Sequence, residues 1–225
     1  FLGAPGVSEL YDGGPLDAAD KRYYIQDEAS QLVSVLLSPK PGTAVLDACS
    51  APGGKTTHLA QLMGNTGSIL ALDKSASRLK SVESAALRLG AGIIRTRAFD
   101  ALEPLVFAEE GSFDHILIDA PCTGLGVVRR SPDIKYRRTE QDIAARSLIQ
   151  GALLDNLARY LKKGGTLVYS TCTFEPEETD EAVKGFIERN AGYRLEDAAS
   201  VLPDGCAVLV DEEGFFRPFP HKHGM

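Results

Sequence analysis

The stretch from Ala44 to Thr57, AVLDACSAPGGKTT, restricts the fold more than any other part of the chain. Val45 and Leu46 suit a buried parallel strand, which stops at Asp47 and gives way to the small residues Ala48, Ser50, Ala51, Pro52, Gly53 and Gly54. Small residues leave room for a ligand to touch the backbone, and a helix beginning near Gly54 aims its free N–H groups at that ligand. Twenty residues after Gly53 a second apolar run, Ser68 to Leu72, ends in Asp73, the offset and residue type that a ribose hydroxyl pair asks for. The combination predicts a nucleoside cofactor. A phosphate-binding P-loop is disfavoured because Cys49 stands where its first glycine belongs, and the G-x-G-x-x-G of dinucleotide folds is absent. An ordinary strand-to-helix turn without a ligand remains open on this stretch alone.

With 225 residues the chain is long enough for one well-buried domain. Its 44% hydrophobic content includes no apolar run of membrane-spanning length. The start lacks the charged-then-apolar layout of a signal peptide, so the expectation is a cytoplasmic enzyme with no membrane partner. Cys49, Cys122, Cys172 and Cys206 are far apart, with no C-x-x-C pair and no histidine at zinc-ligand spacing, which predicts free thiols and no metal. A formal net charge of −7 argues against holding nucleic acid with the whole surface and leaves a local basic patch as the route to it. Phe1 is not a start residue, and Met225 directly follows an apolar, histidine-rich stretch, so the sequence reads as a fragment of a longer protein.

Residues 1–25 read as an irregular lead-in, and 26–225 as the catalytic domain. Gln26 to Leu37 carries apolar residues at helical spacing and stops at Pro39 and Pro41-Gly42. A helix from the glycine loop runs to about Met63, and another begins after Asp73 with Ser75 as cap and closes at Gly90. Ile93–Thr96 and Phe113–Ile118 are further strands leading to Asp100 and Asp119. A long helix is expected from Thr139 to Leu161, broken by Gly164-Gly165 before a strand over Thr166–Ser170. Pro176 then suits the first turn of a helix, Glu177 to Arg189, that is acidic at its start as the helix dipole prefers. Strand and helix alternate throughout, which predicts an α/β, doubly wound, mostly parallel sheet of Rossmann-like kind. The strands deliver acids to one rim, where ligands of open parallel sheets bind.

Two cysteines belong to that rim. Cys122 follows the fourth strand in Asp119-Ala120-Pro121-Cys122-Thr123-Gly124, and Cys172 follows the fifth in Ser170-Thr171-Cys172-Thr173. A lone cysteine is most often a buried filler; two at neighbouring loop starts point to thiol chemistry. Their residue types and positions alone do not say which is the nucleophile.

DACSAPGGK, LDKSASR, FD, DAPCTGLG and STCT, in this order and separation, resemble the Sun (Fmu) family of RNA (cytosine-5)-methyltransferases, most closely its bacterial ribosomal RNA members. The resemblance covers roughly Gln26 to the C-terminus. It implies an S-adenosyl-L-methionine-dependent enzyme that makes 5-methylcytosine in RNA through a covalent cysteine–cytosine intermediate. Cys172, in the Thr-Cys motif, would be the nucleophile, and Cys122, in the Pro-Cys motif, would assist product release. The resemblance also implies that Cys49, Ser50, Ala51, Pro52, Gly53, Gly54 and Lys55 wrap the methionine part of the cofactor and that Asp73 holds the ribose hydroxyls. Arg78 would lie on the cofactor side and Asp100 near the adenine. Asp119 would sit between cofactor and target base, with Lys55 also reaching the base and helping to lower a thiol pKa.

Arg129, Arg130, Lys135, Arg137 and Arg138 put five cations in ten residues directly after the Cys122 loop, an expected contact for RNA phosphates with Tyr136 stacking on a base. His221 and His223 read as turn residues. The ending from Gly214 resembles the family's penultimate strand and the turn before a last strand that the sequence does not contain. Ribosomal RNA is the first expected partner and transfer RNA the second. Two other classes remain open: a DNA cytosine-5 methyltransferase with Cys122 as nucleophile, and an inactive module that only binds cofactor or RNA.

Overall fold

A computed structural model describes residues 23–224, so the expected lead-in falls almost wholly outside the described residues. Five strands, β1 (Ala44–Asp47), β2 (Ser68–Asp73), β3 (Ile94–Ala98), β4 (Phe113–Asp119) and β5 (Leu161–Ser170), form one sheet in the order β3-β2-β1-β4-β5. All of its pairings are parallel. Along each strand successive side chains go to opposite faces. Leu46, Ile116 and Ile118 pack on one face with Leu153, Leu154, Leu157 and Phe186. Val45, Ile69 and Leu117 pack on the other with Leu37, Leu59, Met63 and Val82. The first group comes from α5 (Glu140–Ala158) and α6 (Asp180–Arg189), and the second from α1 (Glu28–Leu37), α2 (Gly54–Leu62) and α3 (Ala76–Leu89). Helices therefore cover both faces, which is why the strands read as continuous apolar runs.

The local signals behave as their chemistry requires. Asp27 caps α1 through Ala29 N at 3.1 Å, and Ser75 caps α3 before Gly90 ends it at φ 69°. Thr139 and Asp142 form a reciprocal capping box on α5.

Several expectations need correction. The long helix ends at Ala158, not Leu161, because Leu161 already pairs with Phe113 in β5. Gly164 and Gly165 do not break anything before that strand. They lie inside it at a register shift, and a Cβ on Gly165 would meet Asp114 O at 2.6 Å, so this irregular strand needs glycine there. The helix expected from Glu177 is split into a 3-10 turn, Pro176–Glu178, and α6, because Glu178 turns inward to hydrogen-bond. The ending forms no strand: Val210 and Phe216 make an isolated antiparallel bridge, and Pro220–His223 is a helical turn in which His223 Nδ1 accepts from Phe219 N at 2.9 Å. The basic run contains the short helix α4 (Ile134–Arg137).

Among the described residues, no helix is long and apolar enough to cross a membrane.

Candidate active site

The parallel register brings the C-terminal ends of β1, β2 and β4 to one rim, where they place Asp47, Asp73 and Asp119. The loop after β1 is tied to β2 by Ser50, whose backbone N–H and hydroxyl both donate to Leu72 O, at 2.8 and 2.9 Å. Its Ala51-Pro52 peptide is cis, and Gly53 at φ 110° turns the chain into α2. Close packing also requires both glycines. A Cβ on Gly53 would sit 3.0 Å from Val82 Cα, and one on Gly54 would sit 2.9 Å from the Tyr24 ring. No side chain caps α2, so its first N–H groups keep the free, electropositive character expected of a helix start.

Asp73 is 5% exposed and has both oxygens engaged. Oδ1 accepts from Ser75 N at 2.8 Å, and Oδ2 lies 3.3 Å from Arg78 Nη1. A carboxylate has about four lone-pair sites, so capacity for a diol remains. Arg78 also donates to Ala51 O at 2.8 Å, which links the loop after β1 to Asp73. Asp100 is exposed just beyond β3 and accepts from Leu102 N at 3.1 Å through its Oδ1.

Asp47 is the acid whose environment sequence reasoning missed. It is 1% exposed, accepts from Thr56 Oγ1 at 2.7 Å, and leaves Oδ1 without a partner. Burial pushes its carboxyl up to about 7, against the lowering effect of Thr56. The folded protein thus holds a proton that the unfolded chain releases near the ordinary value. The stability this contributes is fully present below about pH 4 and is lost as pH rises through about 7. Between those limits Asp47→Asn is expected to flatten the pH profile of unfolding free energy by roughly 4 kcal/mol relative to the parent. Parallel urea-denaturation profiles for the two proteins would contradict this.

Lys55, Asp119 and Ser170 form one chain of contacts: Lys55 Nζ reaches Asp119 Oδ2 at 2.6 Å, and Ser170 Oγ donates to Asp119 Oδ1 at 2.7 Å. Asp119 is 36% exposed and Lys55 17%, so the carboxylate faces open space while the amine sits behind it. A cavity of about 1130 Å³ includes Lys55, Asp119 and Cys172 in its lining and continues along β5.

The two predicted thiols meet. Cys122 Sγ and Cys172 Sγ are 3.2 Å apart, and Cys172 N donates to Cys122 Sγ at 3.3 Å. Close approach of the two loops depends on Gly126, whose N–H donates to Cys172 O at 2.9 Å and whose added Cβ would stand 2.8 Å from that oxygen. The hydrogen bond from the Cys122 thiol holds Cys172 below the ordinary thiol range; desolvation and Asp119 oppose this, and Lys55 assists. That bond and burial push Cys122 well above the range. The expected help from Lys55 is thus secondary, because its charge is shared with Asp119. Burial and the surrounding acids push Cys49 up to about 12, which makes it an inert thiol.

The basic run is not one uniform patch. Arg130 pairs with Asp27 and Arg138 Nε donates to Thr123 O at 2.9 Å, so both fasten the segment to the body. Arg137 pairs with Asp133 at 3.3 Å, and Lys135 lies 4.7 Å over the Tyr136 ring. Arg129, Lys135, Tyr136 and Arg137 are exposed. Among the described residues, no cluster of His, Cys, Asp and Glu is arranged to hold a metal ion.

A parallel 3-2-1-4-5 sheet with a glycine-loop helix start and a ribose-type acid at its rim defines a Rossmann-like methyltransferase domain. Residues 34–225 match the family described as 16S rRNA methyltransferase RsmB/F, and the chain belongs to that family of S-adenosylmethionine-dependent RNA methyltransferases. It is 43% identical over 201 residues to the probable ribosomal RNA small subunit methyltransferase B of Bacillus subtilis, covering 89% of this chain and 45% of that protein. It is 45% identical over 192 residues to the ribosomal RNA small subunit methyltransferase B of Pseudomonas syringae, covering 84% and 42%. Among solved structures, that of NSun6 from Pyrococcus horikoshii with SFG superposes with a TM-score of 0.78 at 37% identity, over 93% of this chain and 52% of that one. The chain thus spans about half the length of the curated relatives it matches.

Proposed function

We propose that the chain is the catalytic domain of an enzyme that transfers a methyl group from S-adenosylmethionine to carbon 5 of cytosine in ribosomal RNA, with Cys172 as nucleophile. The observation that carries this reading is the thiol pair: the exposed Cys172 Sγ lies 3.2 Å from Cys122 Sγ, and Cys172 lines the same cavity as Asp119 and Lys55.

The residues fit the cofactor. The uncapped start of α2, the buried Asp73 with lone pairs to spare and the unpartnered Asp47 Oδ1 suit a ligand carrying a carboxylate, a ribose and cationic centres. Cys49 to Lys55, Asp73, Arg78 and Asp100 would hold it. When bound, it supplies an electrophilic methyl group on a sulfonium.

Carbon 5 of cytosine is a poor nucleophile. The Cys172 thiolate adds to carbon 6, and the electron pair of the 5,6 double bond moves to carbon 5, which becomes nucleophilic enough to take the methyl. Asp119, braced by Lys55 and Ser170, faces the cavity where it can bind the cytosine edge and offset charge on the ring. Loss of the carbon 5 proton to a base then restores the double bond and expels the Cys172 thiolate. Cys122, hydrogen-bonded to that sulfur, is placed to assist release.

Exposed Arg129, Lys135 and Arg137 are the cations available to RNA phosphates, since Arg130 and Arg138 are committed to the fold. Reversing the three charges together is expected to weaken RNA binding by about tenfold or more and to flatten its salt dependence by about one unit of slope for each phosphate no longer neutralised. Filter-binding titrations between low and moderate salt read both quantities, and an unchanged slope would remove these residues from the interface.

The reaction is tested by incubating the chain with small-subunit ribosomal RNA and methyl-labelled S-adenosylmethionine, digesting the RNA and identifying the labelled nucleoside. 5-Methylcytidine is expected. Label on another base or position would overturn the reading, and label in DNA but not RNA would favour the Cys122-nucleophile alternative.

A further inference from the structure

Glu178 is fully buried and lies six residues beyond Cys172. Its carboxylate accepts from three groups: Thr123 N at 3.0 Å, the Thr123 hydroxyl, and Gln150 Nε2 at 2.9 Å. Gln150 also donates to Pro121 O at 3.0 Å. Cys122 therefore hangs between two residues whose backbone polar groups are both fastened, directly or through Gln150, to one carboxylate. Glu178 is itself anchored on the Cys172 side, because Tyr169 of β5 donates to its carbonyl at 2.7 Å. A second strap joins the loops, the hydroxyls of Thr123 and Thr173 being 3.1 Å apart.

Cys172 is held by other means. Ala120 N donates to Ser170 O at 2.8 Å, Ser170 donates to Asp119, and Gly126 N donates to Cys172 O. None of these contacts involves Glu178. Loss of the carboxylate would remove the contacts that flank Cys122 on both sides, leaving its loop held at Thr123 O by Arg138 and at Gly126 N by Cys172 O, with Cys172 still seated at the end of β5.

We propose that Glu178 is a positioning residue for Cys122: through Thr123 and Gln150 it fixes that thiol against Cys172, so that product release, and not adduct formation, depends on it. The proposal rests on the reading of Cys172 as nucleophile and Cys122 as release group. Glu178→Gln preserves the arrangement. Its amide oxygen can accept from Thr123 N–H and Gln150, and its amide nitrogen can donate to the Thr123 hydroxyl, which then gives its own proton to Thr173.

The test compares the parent with Glu178→Ala, Glu178→Gln and Thr123→Val on ribosomal RNA transcripts containing either cytosine or 5-fluorocytosine. An adduct between the parent and 5-fluorocytosine RNA that vanishes in Cys172→Ala supports the underlying reading; if the parent forms none, that reading fails and the proposal falls with it. Given the parent adduct, Glu178→Ala is expected to form it within about threefold of the parent rate at alkaline pH, where Cys172 ionises with or without the Cys122 hydrogen bond, while multiple turnover on ordinary RNA drops at least about tenfold. A Cys172-linked complex should then build up on ordinary RNA. Glu178→Gln is expected to restore turnover to within about threefold of the parent, and Thr123→Val to accumulate the complex with turnover about threefold down. Parent-like turnover in Glu178→Ala, equal loss of adduct formation and turnover, or no rescue by Gln would each overturn the proposal. If Glu178→Ala does not fold, parent-like release in folded Thr123→Val overturns it.

Discussion

Replacing Cys172 by alanine is expected to abolish methyl transfer, with a loss of at least about a thousandfold in single-turnover rate, because no other group at the rim can add to carbon 6. Cys49 is too weakly acidic, with its thiol pushed up to about 12 by burial. Cys122 is also pushed up, first by its hydrogen bond with Cys172 and then by burial. Removing Cys172 takes away that hydrogen bond, the largest cause of the rise, but Cys122 stays partly buried and less exposed than the position Cys172 occupies, which leaves it a poor substitute. Cofactor affinity is expected to be unchanged, since the ribose acid and the glycine loop are held by contacts of their own: Asp73 by Ser75 and Arg78, the loop by Ser50 on Leu72. Residual transfer within about tenfold of the parent would contradict the assignment. Cys122→Ala should separate from this: losing the hydrogen bond that lowers the Cys172 pKa moves adduct formation to higher pH, but the RNA still becomes linked to protein and the complex does not turn over.

The second large effect is expected at Asp119. Asp119→Ala should lower the single-turnover rate by roughly 10²–10⁴, the range for a group that handles charge or protons at the reacting ring. Two consequences combine. The cavity loses its exposed carboxylate, and Lys55 loses its 2.6 Å partner, which leaves an amine beside the thiol pair without its counter-charge. Because Asp119 opposes and Lys55 assists the lowered pKa of Cys172, the variant should also shift the pH–rate profile to lower pH. Ser170→Ala removes one donor to Asp119 and is expected to cost only a few-fold. A parent-like rate and an unshifted profile in Asp119→Ala would show the carboxylate to be a structural brace for Lys55.

The architecture is largely legible in the sequence because its signals are local. Apolar runs ending in Asp47, Asp73 and Asp119 mark three strand ends, and Ser75, Gly90 and the Thr139–Asp142 box mark helix ends through contacts a few residues apart. The two thiols can be brought to one rim from topology alone, since each follows a strand. What escapes is non-local. Glu178 carries the helix-start signal of an acid after proline, yet its partner Thr123 is 55 residues away. Gly164-Gly165 is a breaker in any local reading and becomes part of β5 only because β4 supplies the register shift. Gly53 and Gly54 are legible as small residues that the turn needs, but the atoms that require them belong to Val82 and Tyr24. Within the basic run, only the fold distinguishes Arg130 and Arg138, bound to Asp27 and to Thr123 O, from Arg129, Lys135 and Arg137 between and beside them.

Covalent trapping tests the central claim most directly. The parent, Cys172→Ala and Cys122→Ala would each be incubated with S-adenosylmethionine and 5-fluorocytosine-substituted small-subunit ribosomal RNA, then resolved on denaturing gels. Fluorine does not leave as a proton does, so an adduct persists. An RNA-linked band in the parent and in Cys122→Ala, absent from Cys172→Ala, is the predicted result. A band lost only in Cys122→Ala would move the nucleophile to the other thiol, and no band in a parent that still binds cofactor would contradict the covalent route.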